Sequence, residues 1–234
     1  MKKILVTGGE GRFASELKKT KYKTKFIFLK KKEFNILKLS SINRALKKYK
    51  PKTLLHLAGL SRPMILHEKN IIKSIKLNII GTSNLVLACK KNNIKIIYFS
   101  SSYVYSGRRG NYKETDEVLP WNNYGWSKLG GECAVQMYKN SLILRVCMTE
   151  KPFVHKKAYS NVKSNFIFQN EIIEKFMKLL PKRGIYNIGG KTQTIYEFAK
   201  ESNKNIKKIF SKGEFPLNQN MNLNKLLKIK NEIN

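Results

Sequence analysis

Apolar residues occur first as short unbroken runs, and these alternate with longer stretches in which they return every three or four positions. The runs at residues 3–7, 25–29, 53–57, 94–99 and 141–147 have the length and the Ile, Leu, Val and Phe content of strands buried on both faces. Between them, residues 15–19, 40–49, 64–91 and 124–138 carry helical spacing. Within 64–91, Ile71, Ile72, Ile75 and Ile79 predict a core-facing stripe, interrupted at Asn78 and Gly81. Pro51 ends the helix before it, and Asn122 or Asn123 is placed to cap the helix over 124–138. Later come an apolar segment at 166–168, a helix over 171–180, a strand over 184–188, a helix over 194–200 and a basic tail. Strands alternating with helices predict an α/β fold, a doubly wound parallel sheet. The expected division is a nucleotide-binding domain over 1–148 and a small C-terminal region over 149–234 that contributes late strands and helices.

Such sheets bind ligands beyond the carboxyl ends of their strands, so the residues at those ends matter most. The first run leads into Gly8, Gly9, Glu10, Gly11, Arg12, Phe13 and Ala14 before its helix, a G-x-x-G-x-x-A pattern. Glycines there permit a tight turn and close backbone approach, and the helix start faces a pyrophosphate. A plain β-turn would need neither flank; strand before and helix after make this a dinucleotide loop of the Rossmann kind. The second strand ends at Lys30, where an acid commonly binds the ribose 2′-hydroxyl. A lysine would attract a 2′-phosphate instead, which favours NADPH while leaving NADH open. Ala58 and Gly59 close the third strand, and Ser100, Ser101 and Ser102 close the fourth. The helix over 124–138 then presents Tyr124 and Lys128 at i and i+4, on one face. An ammonium beside a phenol favours phenolate and lowers the phenol pKa from about 10 towards neutrality, where proton transfer is efficient.

Hydrophobic content of 41% over 234 residues is that of a folded domain. The net charge of +32 is extreme, and binding of nucleic acid through a basic surface is one reading of it. The lysines are spread along the chain rather than gathered, however, which favours solvated surface positions. Cys89, Cys133 and Cys147 are far apart and read as small buried hydrophobes; no histidine or cysteine spacing suits a metal. No apolar run approaches the ~20 residues of a membrane span, so a cytoplasmic location without membrane partners is expected.

Taken in order, Thr7 to Gly11, His56 to Gly59, Asn78 to Leu85, Ser100 to Tyr105, and Tyr124 to Lys128 resemble the extended short-chain dehydrogenase/reductases over the first 150 residues or so. Phe34 to Ile36 and Met221 to Leu226 make the chain most similar to the dTDP-4-dehydrorhamnose reductases and related nucleotide-sugar reductases and epimerases. The resemblance implies Tyr124 as acid/base, Lys128 on the nicotinamide ribose, and Ser101, with Ser102 as substitute, holding the substrate carbonyl. It implies cofactor contacts at Gly8, Gly11, Arg12, Phe13, Ala58, Gly59, Leu60 and Asn78. Phe13 and Leu60 could equally pack the core, and Asn78 could kink or cap its helix. Asn35 stands where relatives often have an aspartate near the adenine. Only Met148 to Asn165 separates the fifth strand from the next apolar segment, so the substrate region is shortened. The implied activity is NAD(P)H-dependent reduction of a nucleotide-linked 4-keto-6-deoxy sugar. The alternatives are a 4-epimerase of the same family, or a non-catalytic NADP-binding protein that binds nucleic acid. Relatives often meet a second subunit through the helices here at 64–91 and 124–138, which leaves a homodimer open.

Overall fold

The computed structural model describes residues 3–231. Its first part runs β1 (Ile4–Thr7), α1 (Arg12–Lys18), β2 (Phe26–Phe28), α2 (Leu39–Tyr49), β3 (Thr53–His56), α3 (Ile65–Lys69), α4 (Ile71–Ser74), α5 (Gly81–Lys91), β4 (Lys95–Ser101), α6 (Asn123–Gln136) and β5 (Ser141–Val146). Then follow β6 (Met148–Thr149), β7 (Lys157–Tyr159), β8 (Lys163–Ser164), β9 (Ile167–Phe168), α7 (Gln169–Leu179), β10 (Gly184–Ile188), β11 (Gln193–Thr194), α8 (Ile195–Lys200), β12 (Lys207–Ile209) and α9 (Asn224–Asn231).

Six strands form the central parallel sheet, in the order β10-β5-β4-β3-β1-β2. The chain steps from β1 outward to β2, then crosses back to β3 on the other side of β1. The switch point therefore falls between β1 and β3, whose carboxyl ends are Thr7 and His56. By contact the chain divides into two units. The first comprises the chain up to Ser100 with Trp126–Leu144 and Lys182–Gly184; the second comprises Ser101–Gly125, Arg145–Pro181 and the chain from Ile185 onward.

In the first unit, β1 and the part of β4 up to Ser100 are buried at every position, which is why they read as continuous apolar runs. Helix α1 lays Phe13, Ala14 and Leu17 against them, with the Phe13 and Phe99 rings 4.8 Å apart. The helical run from Ile71 to Lys91 departs from expectation. Ile71, Ile72 and Ile75 are 51%, 68% and 41% exposed and form no core stripe. Its buried positions include the polar Ser74, Asn78 and Thr82, each hydrogen-bonded. A π-helical turn over Ile75–Ile80 widens the helix there and shifts its period, turning Asn78 inward. By length and composition this run could cross a membrane, contrary to the sequence expectation. Its α5 portion instead buries Leu85, Val86, Ala88 and Cys89 within the unit.

The second unit has its own apolar cluster, in which Phe153, Ala158 and Val162 meet Phe168, Ile195, Phe198, Ala199 and Ile206. The short segment after β5 thus contributes to a core. Helix α8 starts with a capping box, Thr194 Oγ1 accepting from Glu197 N while Thr194 N donates to Glu197. Beyond it the expected basic tail is folded: β12 pairs in parallel with β7, and α9 closes the described chain. Asn187 ties this region together, its Nδ2 donating to Tyr112 O at 2.8 Å and to Asn222 O at 3.2 Å. Arg145 is buried beside it and donates from Nη1 to the Tyr105 hydroxyl at 2.7 Å and to Glu114 O at 3.2 Å. Burial pushes the Tyr105 phenol up to about 12.

Candidate active site

The glycine turn is built as a close backbone approach. Gly8 has φ +66°, and a Cβ there would lie 2.7 Å from Ala58 N, so neither the conformation nor the space admits a side chain. Gly11 N donates back to Gly8 O at 2.9 Å, and Gly9 N is tied to Leu29 O at 3.0 Å. Helix α1 begins directly after Gly11, leaving the start of the helix at the switch point. Arg12 reaches Ser61 Oγ from Nη2 at 2.6 Å, so the turn and the loop after β3 are linked by side chain as well.

His56 organises the other wall. It is 2% exposed, with Nδ1 2.9 Å from Thr7 Oγ1 and Nε2 3.0 Å from Thr82 Oγ1. Thr82 gives its only hydroxyl proton to Asn78 O at 2.7 Å, so it accepts from His56 Nε2–H. Thr7 Oγ1 in turn accepts from Leu57 N and Ala58 N, each at 3.2 Å, and gives its proton to Nδ1. The imidazole is therefore neutral, and burial first, then Lys128, lowers its pKa from 6.5 to about 3.

Asn78 acts as a latch. Its Oδ1 accepts from Leu60 N at 2.7 Å, and its Nδ2 donates to Leu60 O at 2.8 Å and to Ser127 Oγ at 2.9 Å. Both donors of the side chain are thus spent on holding the Leu60 loop against α6. Phe13 and Leu60 are buried and pack. Asn35 folds its own turn, accepting from Leu37 N at 3.0 Å. Lys30 is exposed, and its ammonium lies 3.9 Å from Glu10 Oε1.

Helix α6 carries the expected Tyr124 and Lys128 pair. Asn122 caps it, its Oδ1 accepting from Gly125 N at 2.8 Å. Tyr124 stands in the first turn and Lys128 one turn later on the same face. Gly131 lets this helix seat deeply, because a Cβ there would come within 2.7 Å of the Tyr98 hydroxyl. Lys128 keeps a partly exposed surface, yet its ammonium lies over the Tyr98 ring at 4.2 Å. Burial lowers its pKa from 10.5 to about 7, and Glu132 acts against that fall. In the second unit, Ser101 is buried and its Oγ accepts from Tyr103 N at 3.2 Å. The Tyr103 ring meets Tyr124 edge-on at 5.5 Å and stacks on Trp121 at 5.4 Å. Phe215 joins them, 4.7 Å from Trp121.

Sequence reasoning missed His56, Glu132 and the Trp121–Phe215 pair. Glu132 was within reach, since Lys128 and Glu132 repeat the i, i+4 spacing of Tyr124 and Lys128. Cys133, expected buried, is exposed, whereas Cys89 and Cys147 are buried.

The family model described as the RmlD substrate binding domain matches residues 1–168. Methionine adenosyltransferase 2 subunit beta of Xenopus laevis is 33% identical over 113 residues, covering 48% of this chain and 34% of that protein. The dTDP-4-dehydrorhamnose reductase of Aggregatibacter actinomycetemcomitans is 27% identical over 154 residues, covering 64% of this chain and 52% of that protein. The chain spans about a third to a half of the length of these curated relatives. Among solved structures, the dTDP-4-dehydrorhamnose reductase of Bacillus anthracis in complex with NADP superposes with a TM-score of 0.84 at 19% identity, covering 97% of this chain and 91% of the other. The UDP-glucose 4-epimerase of Thermus thermophilus in complex with NAD gives 0.77 at 16% identity, covering 97% and 92%. At such identities the likeness shows a shared fold.

Proposed function

Because the chain belongs to the RmlD substrate-binding domain family, we propose that it is an NAD(P)H-dependent reductase of a nucleotide-linked 4-keto-6-deoxy sugar. The observation that carries this reading is Tyr124 and Lys128 one turn apart on one face of α6, with the lysine ammonium desolvated. The residues present fit a dinucleotide: Gly8 takes the positive φ that closes the turn, and the adjoining helix start offers N–H groups to a pyrophosphate. Gly8, Gly11, Arg12, Ala58, Gly59 and Leu60 would hold it, and Lys30 would favour a 2′-phosphate and hence NADPH. When bound, the dihydronicotinamide supplies the hydride.

The chain's own residues do the rest. Tyr124 gives its proton to the keto oxygen as that oxygen gains charge. The Lys128 ammonium favours the phenolate left behind, and it also binds the ribose. The Ser101 hydroxyl orients the keto oxygen towards the phenol. In this reading the glycine turn serves the cofactor, and Tyr103 and Trp121 lie beside the reacting sugar.

The test is titration of NADPH and NADH by protein fluorescence, followed by turnover of dTDP- and UDP-linked 4-keto-6-deoxyhexoses. Tyr124→Phe is expected to bind NADPH as the wild type does and to lose about 10²–10⁴-fold in turnover. Equal turnover by the two proteins would remove Tyr124 from its role. Conversion of sugar without net consumption of NADPH would make the enzyme an epimerase.

A further inference from the structure

Tyr124, Lys128 and Glu132 follow one another at i, i+4 and i+8 along α6. Glu132 has no exposed surface at all. Its carboxylate accepts from the Ser100 hydroxyl, and from Gln136 Nε2 at 3.1 Å. A carboxylate taken wholly out of water is retained where a cation and hydrogen-bond donors compensate it. Ser100 and Gln136 supply the donors, and the cation one turn away is Lys128.

The surroundings of Lys128 make that carboxylate matter. From β4 the Tyr98 ring lies under the ammonium at 4.2 Å. From β3 comes His56, kept neutral between Thr7 and Thr82. From α3 comes His67, whose pKa is lowered by burial and, in smaller part, by Lys128 itself. Glu132 completes the set from α6. Burial pulls the ammonium down and the Glu132 carboxylate pulls it up, leaving it at about 7. At that value a small change in either influence decides whether Lys128 is charged at neutral pH.

We infer that Glu132 is a positioning residue that keeps Lys128 charged and in place, its carboxylate anchored by Ser100. This rests on the reading of Tyr124 and Lys128 as the reactive pair. It adds a third position to that pair and gives Ser100 a role separate from that of Ser101.

The experiment is an NMR titration of the full chain carrying ¹³C at the lysine ε-carbons, with no cofactor or substrate present. One lysine signal is expected to titrate about three pH units below the others, and Lys128→Met assigns it by its loss. In Glu132→Gln that midpoint is expected to fall by at least about one unit, and Glu132→Asp is expected to restore most of the fall. Ser100→Ala is expected to move it the same way by less, and it stands in should Glu132→Gln fail to fold. An unchanged midpoint in Glu132→Gln, or in Ser100→Ala should the former not fold, would overturn the inference. Because the readout needs no turnover, it separates this claim from the proposed function. A shifted midpoint with an unshifted pH profile of kcat in Glu132→Gln would leave Glu132 where it is placed and refute the catalytic reading of Lys128.

Discussion

Acidification should loosen the switch point through His56. The neutral ring is fixed by proton direction on both sides: Thr82 accepts from Nε2, and Thr7 donates to Nδ1 while accepting from Leu57 N and Ala58 N. Protonating Nδ1 would set a donor against an oxygen whose lone pairs are already taken. The folded pKa lies at about 3, below the unfolded value of 6.5. The unfolded chain therefore binds the proton first, and this contribution to stability is whole above pH 6.5 and declines as pH falls towards 3. At about pH 5 the loss is about 1.5 pH units at 1.36 kcal/mol each, roughly 2 kcal/mol. That is a sizeable part of a typical total of about 5–15 kcal/mol. Urea unfolding of wild type and His56→Gln at about pH 7 and about pH 5 measures it, because other titrating groups are common to both proteins. The wild type should lose about 2 kcal/mol more than the variant over that interval. Equal losses would show that the ring is not held neutral and that the proton directions assigned here are wrong.

Two substitutions probe the same region. Gly8→Ala places a Cβ against Ala58 N at positive φ, and should destabilise by about 1–2 kcal/mol and weaken NADPH binding at least about tenfold, read by melting and fluorescence titration. Asn78→Ala removes the latch on Leu60 and Ser127 and should cost about 2–4 kcal/mol in urea unfolding. A loss below about 0.5 kcal/mol would mean that the loop is held by other contacts.

β1, β3 and β4 were legible because each is an apolar run flanked by Gly, Pro or Asn and buried at nearly every position, which leaves no other pattern. The dinucleotide turn was legible for a related reason, since Gly8 occupies a position that no other residue fits. The helical run after α3 was not. From Ile71 to Ile80 apolar residues point in every direction, so periodicity alone could not choose a face. What chooses it is pairing with distant residues: Ser74 with His67, Asn78 with Leu60, Thr82 with His56. The polar side went in because its partners were there, and the isoleucines were left outside. β12 was hidden likewise, because Lys207 to Ile209 has no strand signature of its own and is ordered by pairing with β7.

Composition alone could not point to the lysine of the proposed chemistry; its spacing from Tyr124 did. Of 47 Lys and Arg, most are solvated and interchangeable, so a count carries no information about a site. Burial separates the exceptions, and their partners separate them further. Lys95 is 8% exposed and donates to Lys182 O at 2.6 Å, its pKa lowered by burial to about 8. Arg145 is held by a phenol and a carbonyl. Both are enclosed and donate to neutral acceptors, which suits a structural cation. Lys128 alone of these three keeps part of its surface open while facing a buried carboxylate one turn away. Arg145 does act on a phenol, but at Tyr105 burial raises the pKa more than the guanidinium lowers it. A cation that is desolvated, countered and still partly open, as Lys128 is, suits the proposed proton transfer better.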